Sequence, residues 1–252
     1  MVSTNYLELR LLSGQQGSAQ VYVNAALQAL DAQLDLTRVL TIDDDFVGAL
    51  RWSTTSSGSG ASSLNSSYTG EANAVGVLSL ATGTTTSGYA QVHSASAALI
   101  RLGGGELRLR TRFRVEDLSD GTDTYTLRAG LGDSAVAGEP TDGCYLRYTH
   151  GTNSGKFQCV TRSNGTETAT DSGLTVAADT WYTLDLVIDE TAATVTFLIN
   201  GEEVAANTTN VPTSAGRETG VQVSILKSAG TNSRTLNVDF LGLRVEFTTE
   251  RT

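Results

Sequence analysis

The sequence predicts an all-β protein in which two antiparallel sheets pack face to face. Three observations carry that prediction. Beyond residue 41, apolar and polar residues alternate in short runs, the period-two signature of half-buried strands. Gly, Asn and Ser separate these runs. No stretch between them has the 3.6-residue spacing of a crossover helix, which excludes a βαβ architecture. The composition agrees: 39% hydrophobic and 17% charged residues, with 26 Gly but only 2 Pro and 1 Met in 252 residues, leave the balance to Ser, Thr and Ala. Thr suits half-exposed strands, and Gly with Ser suits turns. There is no fixed internal period, so neither a propeller nor a solenoid is expected.

Residues 1–40 stand apart from this pattern. From about residue 18 to 38 the apolar spacing is helical: Val23, Leu27, Leu30 and Leu34 form a heptad-like seam, widened by Tyr22, Ala26 and Ala29. Gly14 and Gly17 precede it, and Ser18 is placed to cap its first turn. So short a helix is not stable alone. Its stripe must bury itself on the following domain, on sister copies or on a partner. The expected organisation is an N-terminal arm for attachment or oligomerisation over 1–40 and a β-sandwich over 41–252.

Residues 41–46 (TIDDDF) read as the entry to the sandwich, and the Ser/Gly-rich residues 53–67 as a long exposed loop. Strands are predicted at 75–80, 106–115, 124–131, 144–149, 156–162, 181–189 and 193–200. The clearest is 106–115, where Leu107, Leu109, Thr111, Phe113 and Val115 alternate with Arg108, Arg110, Arg112 and Arg114. Asn200-Gly201 marks a two-residue hairpin returning along 202–207, because a type I′ turn needs positive φ at both central positions. Alternation resumes around Val221–Val223–Ile225. The last strand runs from Leu236 to Phe247 past a bulge or kink at Gly242. About ten to twelve strands are expected in all.

The chemistry suggested by the sequence is sparse. A net charge of −10 argues against nucleic acid, whose phosphates it would repel. No apolar run is long enough for a membrane helix. The N-terminus lacks a basic region followed by an apolar stretch, so no signal peptide is expected. Cys144 and Cys159 flank a predicted turn and read as small buried hydrophobes left reduced. His93 and His150 stand in polar, turn-like contexts and read as surface residues, in no metal-ligand spacing. Asp43–Asp45 reads as a solvated strand entry rather than a calcium loop. Asn65, Asn164 and Asn207 lie in N-x-S/T strings that read as chance. No G-x-S-x-G elbow, phosphate loop or E-x-D-x-x-E strand occurs, and the pairs Glu116-Asp117, Asp189-Glu190 and Glu202-Glu203 fall at strand ends. Neither an enzyme nor a cofactor is therefore expected. The arginine row Arg108, Arg110, Arg112, Arg114 has two readings: it faces an acidic partner, or acids on neighbouring strands, such as Asp185, pair with it.

Two segments, residues 41–52 (TIDDDFVGALRW) and 181–212 (WYTLDLVIDETAATVTFLINGEEVAANTTNVP), resemble the concanavalin A-like, laminin-G/lectin-type jelly-roll domains of tailed-phage structural proteins. Residues 221–247 fit the same pattern. Residues 14–38 resemble the N-terminal module of certain phage tail and fibre proteins through Gln16, Val23, Asn24, Leu27, Leu30 and Asp31, although Val21 and Tyr22 replace that module's basic and His residues. The resemblance implies a jelly-roll protein of the virion, either a capsid decoration (cement) protein or a head or tail fibre, commonly trimeric and contacting other virion proteins. The alternative is a carbohydrate-binding adhesin for a host glycan, with Trp52, Tyr68, Tyr89, Tyr125, Tyr145 and Tyr148 as its aromatic candidates.

Overall fold

The computed structural model describes residues 37–251, apart from 95, 97 and 135–137. The predicted helix, with Tyr22, Val23, Leu27, Leu30 and Leu34, lies outside the described residues. Fifteen strands are present among those described: β1 (Val39–Asp44), β2 (Ser53–Ser57), β3 (Ala61–Asn65), β4 (Val77–Ala81), β5 (Tyr89–His93), β6 (Gly105–Val115), β7 (Thr124–Gly132), β8 (Gly143–Thr149), β9 (Lys156–Ser163), β10 (Thr166–Thr175), β11 (Thr180–Ile188), β12 (Val195–Ile199), β13 (Glu202–Asn207), β14 (Gly220–Ala229) and β15 (Thr235–Phe247). They form two antiparallel sheets. An eight-stranded sheet runs β13-β12-β11-β6-β15-β4-β3, with β1 also paired to β15, and a seven-stranded sheet runs β10-β9-β8-β7-β14-β5-β2. β15 serves two neighbours on one edge: residues 235–238 pair with β4 and residues 241–246 with β1.

The core lies between the sheets and follows from the alternation. Leu107, Leu109, Phe113 and Val115 of β6 face inward and are buried. Thr111, the polar member of that row, satisfies its hydroxyl on the Phe240 carbonyl at 2.9 Å. Phe113 and Tyr182 of the eight-stranded sheet meet Phe157 of the seven-stranded sheet edge-on, with ring centroids 6.1 and 5.1 Å apart. Each such side chain stabilises the fold by about 1.5–3 kcal/mol through burial. Asn200 and Gly201 have φ of 55° and 87°, as the predicted hairpin turn requires. Cys144 and Cys159 are buried free thiols on the core side of β8 and β9, and burial pushes the Cys159 thiol up to about 12.

Several expectations are corrected. Residues 53–67 are not a loop but carry two strands, β2 and β3, which are joined by a short turn and pair in different sheets, β2 with β5 and β3 with β4. Edge strands bury little, so their Ser and Thr residues need no apolar alternation to be held by backbone hydrogen bonds. β5 and β10 also lacked a signal. β5 is buried on both faces and carries polar residues on one of them, and β10 is an edge strand with an irregularity between Asp171 and Thr175. The register shift in β15 falls between Val238 and Phe240 rather than at Gly242. Asp44 accepts the Phe46 and Arg51 amides at 2.8 and 2.7 Å, so it braces a turn.

Candidate functional site

The outer face of the seven-stranded sheet is where the strand registers bring polar side chains together. One row crosses it through Thr55, Gln91, Ser224, Arg128, Arg147 and Gln158, on β2, β5, β14, β7, β8 and β9. The next row holds His93, Gln222, Gly130, Tyr145 and Val160. A third holds Gly132, Gly143, Arg162 and Glu167. Gln91, His93, Arg128, Tyr145, Gln222 and Ser224 point away from the core yet are buried. The β7–β8 connection lies over part of this face: Ser134 accepts Gln91 Nε2 at 3.0 Å, and Glu139 receives Arg128 and Tyr145.

Glycines make room for this layer. A Cβ on Gly130, at φ 149°, would collide with the Cys144 carbonyl, and one on Gly132 with the Gln222 amide. A Cβ on Gly143 would stand 3.1 Å from the Tyr145 ring. The bulky side chains therefore lean over neighbours that have none.

The charges form one network. Arg147 donates to Glu139 at 2.9 Å and to Glu167 at 3.0 and 3.1 Å, and Arg162 reaches Glu167 at 2.9 Å and Glu139 at 3.9 Å. Burial opposes ionisation of Glu139, but the Arg128 guanidinium, the Tyr145 hydroxyl and Arg147 outweigh it and hold the carboxyl below its ordinary value. Hydrogen bonds from Arg147 do the same for Glu167. Burial, then the Glu139 carboxylate, keep the Tyr145 phenol neutral, so it donates to Glu139. The layering is marked. The Arg128 and Arg147 side chains are 6% and 12% exposed, whereas those of Glu139 and Glu167 are 31% exposed. The guanidinium forks lie beneath and the carboxylates above. Among the described residues, Gln91 Oε1, Gln222 Nε2 and Arg162 Nε are buried without a hydrogen-bond partner.

His93 is not the surface residue expected. It sits buried on β5, with Nδ1 2.6 Å from the Ser94 carbonyl and Nε2 2.8 Å from the Thr55 hydroxyl. The Ser94 carbonyl can only accept, so Nδ1 carries a proton and donates to it. Among the described residues no group of three His, Cys, Asp or Glu side chains is arranged to hold a metal.

The arginine ladder occupies the outer face of the other sheet. Arg110 pairs with Asp185 at 2.9 Å, Arg112 with Asp239 at 2.7 Å, and Arg114 with Glu71 at 2.7 Å and Asp179 at 3.1 Å. The Arg112 and Arg114 guanidinium carbons lie 4.4 and 4.8 Å from the Trp181 ring centroid. Arg108 stands directly opposite Arg244. Of the aromatic candidates, Trp52, Tyr125 and Tyr148 belong to the core. Tyr68 accepts a hydrogen bond from Arg114, Tyr145 is the covered residue described above, and Tyr89 is half-buried on the outer face of β5.

The sandwich is a concanavalin A-like jelly roll of the lectin and glucanase type. The structure of SO2946 from Shewanella oneidensis MR-1, a protein of unknown function, superposes with a TM-score of 0.64 at 15% identity, covering 86% of this chain and 90% of that one. The carbohydrate recognition domain of Emp47p gives 0.54 at 11% identity, covering 85% and 99%, and the endo-1,3-β-glucanase of Streptomyces sioyaensis gives 0.52 at 14%, covering 83% and 98%. No curated protein matches the sequence. These findings overturn the expectation that the chain is not an enzyme. That expectation rested on the absence of familiar catalytic strings, the G-x-S-x-G elbow, the phosphate loop and the E-x-D-x-x-E strand, but the fold is shared with an enzyme, and missing strings exclude only those catalytic sets. In sequence, a family model matches residues 73–239, which carry β4 to β14 and all of the charged network on the seven-stranded sheet. On that match, over more than half of its length, the chain belongs to the SO2946-like, C-terminal domain family.

Proposed function

We propose that the outer face of the seven-stranded sheet binds a saccharide. The observation that carries this reading is the layer itself. A sheet face bearing a continuous polar and charged network contains buried amide atoms without partners, and it has a half-buried Tyr89 at its edge. Buried polar atoms left unsatisfied are costly, and sugar hydroxyls, which both donate and accept, are suited to engage them. The similarity of the scaffold to a carbohydrate recognition domain and an endo-1,3-β-glucanase supports a saccharide as the ligand. Calorimetric titration with a panel of oligosaccharides tests it. Arg147→Ala and Gln222→Ala are expected to weaken binding at least about tenfold, while Arg110→Ala on the opposite face leaves it unchanged. Release of new reducing ends during the same incubations reads out turnover. Loss of binding in Arg110→Ala but not in Arg147→Ala refutes the assignment.

The resemblance of residues 14–38 to phage tail and fibre modules supports a second reading, a virion component, trimeric and docked through residues 1–40, that displays this sandwich. Immunogold labelling of particles and sedimentation of the full chain test it. Unlabelled particles and a monomeric chain reject it.

A further inference from the structure

We infer that the saccharide is a carboxylated one, and that Glu139 occupies the place of its carboxylate. This inference rests on the saccharide-binding reading above and specifies its ligand. The argument starts from what the sheet provides and what the connection provides. Arg128, Arg147 and Arg162 rise from three consecutive strands, so their positions are fixed by register. Their planar guanidinium groups present paired N–H donors that match a carboxylate bidentately. Glu139 comes instead from the connection between β7 and β8, outside the sheet ladder. Its carboxylate engages Arg128, Arg147 and the Tyr145 hydroxyl at once. Its side chain is nonetheless 31% exposed, above arginine side chains that are 6% and 12% exposed. The acceptor lies nearest the solvent, above the donors, and Arg147 and Arg162 keep Glu167 when it leaves.

Charge points the same way. Within this network three arginines, Arg128, Arg147 and Arg162, face two glutamates, Glu139 and Glu167. A ligand carboxylate that displaces Glu139 restores the charge balance of Arg128 and Arg147 and releases Glu139 to water. Gln91 and Gln222, each with one buried amide atom lacking a partner among the described residues, lie on β5 and β14, both on the same side of Arg128, and are placed for hydroxyls of the same ligand. Because Glu139 is tethered, it competes at a high effective concentration, on the order of millimolar or more. It therefore weakens the apparent affinity for every carboxylate ligand, and its removal strengthens that affinity.

The experiment titrates the full chain, wild type and Glu139→Gln, with hexagalacturonate, the neutral laminarihexaose and a hexa-aspartate peptide. Glu139→Gln keeps the side chain's shape and a carbonyl for Tyr145, and circular dichroism reports on its folding. The expected result is hexagalacturonate binding that tightens at least tenfold in Glu139→Gln and is lost in Arg147→Ala, with laminarihexaose and hexa-aspartate weaker by tenfold or more. If Glu139→Gln fails to fold, the wild type decides: hexagalacturonate must raise its thermal midpoint and the other two must not. Equal binding of laminarihexaose overturns the inference and leaves the saccharide reading intact. Equal binding of hexa-aspartate, or weaker hexagalacturonate binding in folded Glu139→Gln, overturns the inference. If none of the three binds, both readings fall.

Discussion

The two outer faces of the sandwich carry arginines in opposite ways. On β6 the four arginines are two residues apart in sequence and share one strand, yet Arg110, Arg112 and Arg114 each have a different nearest acid, Asp185, Asp239 and Glu71, with Asp179 beside Arg114 and Glu71 also 3.8 Å from Arg112. On the seven-stranded sheet Arg128, Arg147 and Arg162 are far apart in sequence and converge on the same two carboxylates. A charge row along one strand disperses, because its neighbours supply counter-charges position by position. A row across strands concentrates, because the register stacks like groups side by side. The difference teaches that a functional face on a sheet is assembled perpendicular to the chain.

Mutations that treat the two faces alike sharpen this comparison. The largest contrast is expected for glycines. Gly130→Ala on the seven-stranded sheet drives a Cβ into the backbone of Cys144 and should cost about 3 kcal/mol or more. Gly242→Ala on the eight-stranded sheet meets only the Phe240 ring edge at 2.7 Å and the Asp43 carboxylate at 2.6 Å, both able to turn aside, and should cost about 1 kcal/mol. Urea unfolding measures both, and equal costs break the comparison. Next come the acids. Glu139→Ala leaves Arg128 covered without its nearest counter-charge and should cost about 2 kcal/mol, discounted for the exposure of Glu139. Asp185→Ala leaves Arg110, 58% exposed, to water and should cost less than about 1 kcal/mol.

Acid should act on the converged face. The folded state holds Glu139 and Glu167 below the ordinary value of 4.5, so their contribution is present above that value and is lost as pH falls through the lower folded one. Stability should decline below about pH 4.5, and Glu139→Gln should flatten that decline. An unchanged slope in Glu139→Gln rules out this contribution. The smallest effect is expected for Arg108→Ser, within about 0.5 kcal/mol and slightly favourable, since Arg108 faces Arg244 across the ladder.

The same geometry explains what the sequence revealed. The sandwich, the core row of β6 and the Asn200-Gly201 hairpin were legible because each is a property of one strand or one turn. β2, β3 and β10 were not, because an edge strand is held by backbone hydrogen bonds that any side chain permits. The candidate site was the least legible. Arg128 in TYTLRAGLG, Tyr145 with Arg147 in GCYLRYT, and Arg162 in KFQCVTRS are each unremarkable alone. Only the pairings Arg128↔Arg147 and Gly143↔Arg162 bring them together. A usable signal was present in the long side chains that interrupt apolar runs at period two. The ladder on β6 drew attention for the opposite reason, since its regularity lies along the chain.

The placement of β15 also bears on how the protein is made. β6, near the middle of the sequence, pairs on one side with β11 and on the other with β15, which is the last strand of the eight-stranded sheet to be synthesised. During translation, one full edge of β6 therefore waits, unpaired, for more than a hundred residues to emerge. Such an edge invites pairing with other nascent chains, and repeated charged side chains discourage it. The ladder Arg108–Arg114 lines the outer face of the strand that bears this edge, and replacing its arginines with Thr should increase aggregation during synthesis more than it lowers the stability of the finished fold.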